Sequence, residues 1–279
     1  MKTRVISGVI IAAICIAVGI VGGPVVGIIL IPCALIGYHE LCKACGVDPK
    51  NNGTNALEIL GYIAIMMYYL GLIFESAYIN LNFFTIVMIV LLLLSLMGVY
   101  VLTFPKFHAD QVMAALFSFV YCPVLMSFIY RARCLPYGVY VYALIFFCTW
   151  ICDTCAYFAG RAFGKHKMAP VLSPKKTIEG FFGGIIGSAV LCFLLSIFLK
   201  WQHPEEPASF GLTFTIIGLV GGTVSAIGDL AASAIKRDHN IKDYGNCIPG
   251  HGGIMDRFDS VIFTTPIIYF LAVLLMQTK

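Results

Sequence analysis

An all-α, polytopic integral membrane protein is the fold class this sequence predicts, and three observations predict it. The chain is 60% hydrophobic and only 11% charged over 279 residues, with a mean hydropathy of +0.93; soluble domains hold roughly 45–50% apolar and about 25% charged residues. Apolar runs recur from end to end, each long enough to cross a hydrocarbon core of roughly 30 Å. The charges are gathered rather than spread: 15 of the 32 fall within residues 153–179 and 232–259.

The runs predict about nine transmembrane helices, at 5–21, 24–39, 57–75, 83–103, 111–130, 136–153, 178–199, 211–231 and 260–277. The first has the basic head (Lys2, Arg4) and apolar body of a secretory signal; with so many spans behind it, it is expected to stay as an uncleaved first span. Gly22-Gly23-Pro24 breaks the first span from the second, and a hairpin that does not fully cross is the alternative there. The spans at 57–75, 83–103 and 111–130 are generic and greasy. Those at 178–199 and 260–277 each follow a polar turn. An N-in, C-out arrangement puts 14 of the 18 Lys and Arg residues on the inside, as the positive-inside rule requires, although Arg131 and Arg133 oppose it. The net charge of +4 is then topology control, and no nucleic-acid partner is expected. The 11 cysteines are scattered through apolar runs, where Cys packs as a small hydrophobe; Cys42/Cys45 and Cys152/Cys155 lack the second pair a zinc site needs. With no repeat or linker, the chain reads as one membrane domain, 1–279. Residues 1–135 are mainly scaffold, and 136–279 carry the catalytic face.

Asp229 lies within an otherwise apolar span. A charge at the centre of a membrane helix costs about 2.5–3.5 kcal/mol on insertion scales, so it is retained where it pairs or lines a polar cavity. Helical spacing puts Gly222, Ser225, Asp229, Ala232, Ser233 and Lys236 on one small, polar face. The bland account is an ion pair of Asp229 with Lys236 or Arg257. Asp256 and Asp259, at i and i+3 at the mouth of the last span, shift the balance. Carboxylates on one face repel unless a cation neutralises them, and hard oxygens suit Mg²⁺. The three acids thus predict a site for one or two metal ions: Mg²⁺, alone or with a second cation.

Phosphate-handling groups lie beside them. His251, Gly252 and Gly253 form a flexible turn ahead of the last helix, where backbone N–H groups and the helix dipole favour an anion. Lys236, Arg237 and Lys242 precede it. Ser173, Lys175, Lys176 and Thr177 repeat the theme at the start of the span from 178. A polybasic turn at a membrane surface also suits anionic lipid. Both accounts imply a phosphate-bearing partner.

The stretch SAIKRDHNIKDYGNCIPGHGGIMDRFD, residues 233–259, resembles the signature of the phosphatidate cytidylyltransferase (CDP-diacylglycerol synthase) family. Ser233, Lys236-Arg237, Lys242-Asp243, His251-Gly252-Gly253, Asp256-Arg257 and Asp259 all fall at the family's spacing. DTCAYFAGRAFGKHK (153–167), SPKKTIEG (173–180) and RVISGVIIA, followed by an inside turn with Glu40-Leu41, are similar to it as well. The resemblance implies a Mg²⁺-dependent reaction of CTP with phosphatidic acid to give CDP-diacylglycerol and pyrophosphate. It also implies an all-helical, dimeric membrane enzyme of phospholipid biosynthesis whose catalytic face opens to the cytoplasm, with acids matching Asp229, Asp256 and Asp259 around the metal.

The reaction so implied assigns roles. Asp229, Asp256 and Asp259 hold metal; Lys236, Arg237 and Lys242 neutralise the triphosphate; Lys175 and Lys176 hold triphosphate or lipid headgroup. His251 is a phosphate donor, a general acid or a turn cap, and Arg257 orients the two acids. Acyl chains are expected to enter between the last three spans, where Gly180/Gly184, Gly183/Gly187 and Gly218/Gly222 permit close packing. A CTP-dependent polyprenol kinase shares the metal and triphosphate chemistry, and an ion- or phosphate-coupled transporter is the rival from a different class. With no organelle-type transit sequence, a bacterial cytoplasmic membrane is the expected location.

Overall fold

The computed structural model describes residues 2–48, 54–74, 81–204, 210–248 and 252–276. Among them the chain is all-α apart from one small hairpin. It divides into two compact units, Met1–Ser127 with Asp238–Arg257, and Phe128–Arg237 with Phe258–Lys279. Residues 238–257, from the charged second half, thus group with the N-terminal helices.

The first unit contains α1 (Lys2–Val21), α2 (Pro24–Ala44), α3 (Ala56–Ile73), α4 (Leu81–Leu102) and α5 (Ala109–Phe119). Gly22 and Gly23 turn the chain at φ of 67° and 55°, a region L side chains avoid, and Pro24 restarts it at a first helical position that needs no N–H. Asn55 caps α3 by accepting the Glu58 N–H at 3.0 Å. After α5 a π-helical turn, Val120–Val124, carries Pro123; proline cannot donate within the helix, and the wider turn absorbs it. The helix then resumes as α6 (Leu125–Arg133). Tyrosines in this apolar setting need partners for their hydroxyls. Tyr69 donates to the Pro123 carbonyl at 3.0 Å, and Tyr68 bonds Ser127 at 2.9 Å.

The second unit contains α7 (Gly138–Phe146), a second π-helical turn at Phe147–Ile151, and α8 (Cys152–Phe163). It continues with the strands β1 (Lys167–Ala169) and β2 (Ser173–Thr177), then α9 (Ile178–Gln202), α10 (Phe210–Asp238) and most of α11 (Met255–Met276). β1 and β2 pair antiparallel, where the sequence reads only as a basic turn. Glycine faces decide the helix packing. Side chains at Gly180 and Gly184 would meet the α8 carbonyls of Ala156 and Cys152, each at 2.8 Å, and one at Gly218 would meet the Ala189 backbone on α9 at 2.7 Å. Close approach of this kind drives helix association where water is absent. These glycines bring α9 against α8 and α10 against α9, the close packing expected of them. The far face of α9 exposes Phe182, Ile186, Val190 and Ile197, as a lipid-facing surface would.

Eight of the described helices are long and apolar enough to span a membrane; the N-terminal helix adds a shorter apolar stretch, Ser7–Val21. The protein is a multi-pass membrane protein. Several spans run longer than the sequence predicts, two of them most of all at their C-terminal ends. Gly138–Phe163 continues ten residues past 153, and Phe210–Asp238 seven past 231. Asp229, two residues from the end of the expected span, consequently lies nine residues from the end of α10.

Candidate active site

A cavity of about 330 Å³ opens in the second unit, walled by α8, the hairpin, α9 and α10. Its floor is apolar, from Ala156 and Tyr157 on α8, Met168 on β1 and Phe181 on α9. Lys175 and Lys176 of β2 and Arg161 and Asp153 of α8 add charge to its lining. The hairpin is clasped at its root. The Glu179 carboxylate takes the His166 backbone N–H and stands 2.7 Å from its Nδ1, while the His166 carbonyl accepts the Ile178 N–H at 3.0 Å. Thr177, expected to bind substrate, accepts the Gly180 N–H at 3.1 Å and caps α9, although it also borders the cavity. Ser173 pairs with Ala169 across the hairpin and does not line the cavity.

Ala226 of α10 closes the wall, and Asp229 follows one helical turn later. Its carboxylate pairs with the Lys176 ammonium, not with Lys236 or Arg257 as the local sequence suggested. The physical reason is reach: β2 brings Lys176 across to α10. Asp259, only 8% exposed, belongs to the same neighbourhood. The charges of Asp229, Lys236 and Asp153 all act on it, and its Oδ1 accepts the Ser260 N–H at 2.7 Å. Two acids, a third nearby and two lysines thus gather in the second unit. Arg237 is exposed at the last turn of α10.

Asp256, Gly252 and Gly253 belong to the first unit. Oδ2 of Asp256 accepts backbone N–H groups from Tyr244 at 2.8 Å and Gly253 at 3.0 Å. The expected anion cradle is therefore filled from within: the Gly253 N–H points at Asp256, and those of Ile254 and Met255 at Glu40, at 3.2 and 2.9 Å. Gly252 adopts φ 84° and bonds back to Ile248. Lys242 and Arg257 are exposed; His251 lies outside the described residues. Glu40 itself lies in α2, not in a turn.

Among the described residues, no three His, Cys, Asp or Glu side chains are grouped closely enough to hold a metal ion unaided. The donors nonetheless fit Mg²⁺, which keeps one or two protein carboxylates and takes the rest of its shell from water and substrate phosphates. Asp229 and Asp259 are such a pair. Asp153 and Arg161 escaped the sequence reading as site residues, although an acid at the end of an apolar run carries the same signal as Asp229.

Comparison with known proteins places this arrangement. The model of the cytidylyltransferase family matches residues 2–275. The chain belongs to that family. A phosphatidate cytidylyltransferase of Staphylococcus saprophyticus is 30% identical over 98% of this chain and 99% of its own. The Bacillus subtilis protein of that name is 30% identical over 98% of each. A third, from Synechocystis, is 43% identical over 141 residues, 50% of this chain and 46% of that one. The likeness first read from residues 233–259 thus extends over nearly the whole cytidylyltransferase-family chain.

Proposed function

We propose that the chain is a phosphatidate cytidylyltransferase: it joins the phosphate of phosphatidic acid to the cytidylyl group of CTP and releases pyrophosphate. The observation that carries this reading is the juxtaposition, in a family member, of an apolar cavity with Lys175 and Lys176 and the acids Asp229 and Asp259. A lipid phosphate has an apolar tail and an anionic head, and the cavity offers both surfaces.

The lipid phosphate is already an oxyanion, so attack on the α-phosphorus of CTP needs little help from a base. The obstacle is that one anion must approach another. Lys176 and Lys236 offset that repulsion, and Lys175 adds a cation at the lining; fixed charges in a site shielded from water act more strongly than in solution. Substrate phosphate replaces Asp229 as the partner of Lys176, and the freed carboxylate, with Asp259, would hold Mg²⁺. When bound, that ion supplies charge neutralisation for the triphosphate and the departing pyrophosphate. Tyr157 and Phe181 hold the apolar part of the substrate.

The same reading puts the protein in a bacterial cytoplasmic membrane as a dimer, with the lysine-rich end of α10 and the hairpin facing the cytoplasm. The inside excess of Lys and Arg supports that orientation.

The test is pyrophosphate release by detergent-purified protein supplied with CTP and phosphatidic acid, with and without Mg²⁺. Release that needs all three supports the reading. A phosphorylated polyprenol with CDP, and no pyrophosphate from phosphatidic acid, would replace it with a kinase. Inactivity toward every lipid acceptor by folded protein would redirect the work to flux assays in liposomes.

A further inference from the structure

Glu40 takes no part in the chemistry just described, yet it is among the most deeply buried charged residues, at 5% exposure near the end of α2. Both its oxygens are committed: Oε1 accepts the N–H of Ile254 at 3.2 Å and Oε2 that of Met255 at 2.9 Å. These are among the four N–H groups at the start of α11 that have no partner within the helix. The Glu40 carboxylate thus supplies in trans what a local cap normally supplies. The surrounding sequence makes room for it. A side chain at Gly245 or at Gly253 would collide with the carboxyl group, so both glycines admit it against the backbone. Asp256 also binds this segment, through the N–H groups of Tyr244 and Gly253. Two carboxylates therefore hold Tyr244, Gly245 and Gly253–Met255, and Asp259 follows one turn along the same helix.

We infer that Glu40 is a positioning residue for the reaction. It fixes the first turn of α11, the helix that carries Asp259 one turn further on, so that Asp259 is presented in one orientation. The inference rests on the cytidylyltransferase reading for its effect on rate, but the anchoring itself does not. Glu40→Gln is the informative variant, because it keeps the volume while losing the charge and turning an amide N–H toward a backbone N–H. Partners that orient a site residue from behind typically cost 10- to 100-fold when removed.

The experiment combines steady-state kinetics with hydrogen exchange on the intact, detergent-solubilised chain. For Glu40→Gln we expect kcat to fall about 10- to 100-fold with the KM values for CTP and phosphatidic acid within about twofold. We also expect faster exchange in peptides covering Gly252–Phe258, and no change in peptides from α9. Glu40→Asp, which keeps the charge, should recover part of both signals. Gly253→Ala, which pushes the carboxylate away, should reproduce the Glu40→Gln phenotype and add little to it in the double variant. Faster exchange with normal kcat would overturn the positioning role, and so would a slower kcat with unchanged exchange. Should the unmodified protein fail to use CTP and phosphatidic acid, the functional reading falls; unchanged exchange in Glu40→Gln would then overturn the anchoring as well, and faster exchange would uphold it.

Discussion

The Lys176 ammonium of β2 meets the Asp229 carboxylate of α10 beside the cavity. Both side chains are about a quarter to a third exposed, so the pair exchanges readily for a stronger partner. Triphosphate and Mg²⁺ are such partners. Lys176→Met should lower kcat about 100-fold, as loss of one fixed charge at a developing anion does. Thermal unfolding should move little, because a partly exposed ion pair contributes little stability. Pyrophosphate release and a melting curve, taken together, check this.

Asp256 and Asp259 are separated by one helical turn and should fail differently. Asp256→Ala removes the acceptor of two buried N–H groups, each worth about 1.5–3 kcal/mol when the acceptor is charged. It should lower the melting temperature. Asp259→Asn should leave melting nearly intact but raise the Mg²⁺ concentration that gives half-maximal activity. Stripping the ion from unmodified protein with EDTA should stop the reaction, and added Mg²⁺ should restore it. A metal titration on each variant separates the two residues.

Gly218→Val places branched carbon against the Ala189 backbone, which even a Cβ would approach to 2.7 Å. Overpacking of this kind costs about 1–3 kcal/mol, and a rigid helix backbone puts this site toward the upper end. Melting in detergent should fall accordingly. Leu219→Val, at an exposed position on the same helix, is the control and should change nothing.

His166→Ala removes the imidazole that stands 2.7 Å from Glu179 while sparing the backbone bonds of the clasp. The hairpin should then open more often, and limited proteolysis between Gly164 and Thr177 should speed up. Activity should fall through a higher KM, since Lys175 and Lys176 ride on β2. A lower kcat at constant KM would mean that His166 does more than hold the hairpin.

The membrane class and the charged end of the chain were legible because each carries a large local penalty. An Asp in an apolar run is conspicuous whatever surrounds it, and so Asp229 and Asp259 could be singled out. Their partners could not. Lys176 reaches Asp229 only because residues 173–177 pair with 167–169, and a three-residue strand leaves no periodicity to read. Glu40 was hidden for a related reason. A lone carboxylate near a helix end looks solvated until Gly245 and Gly253 are seen to close around it. Gly180, Gly183, Gly184, Gly187, Gly218 and Gly222 announced close packing, but not against which helix. Spacing along one strip of sequence cannot name the surface opposite.

Helix α10 has 29 residues and, at about 1.5 Å per residue, a length of about 44 Å, well beyond the roughly 30 Å of hydrocarbon. A bilayer of different thickness therefore meets a longer or shorter portion of α10 without stretching it. The depth of Asp229 is fixed instead by protein, through Lys176 and through glycines that seat α10 on α9. Hydrophobic mismatch should accordingly tilt the helices and leave the charged centre assembled. Such a catalyst can work while its own product changes the lipid composition around it.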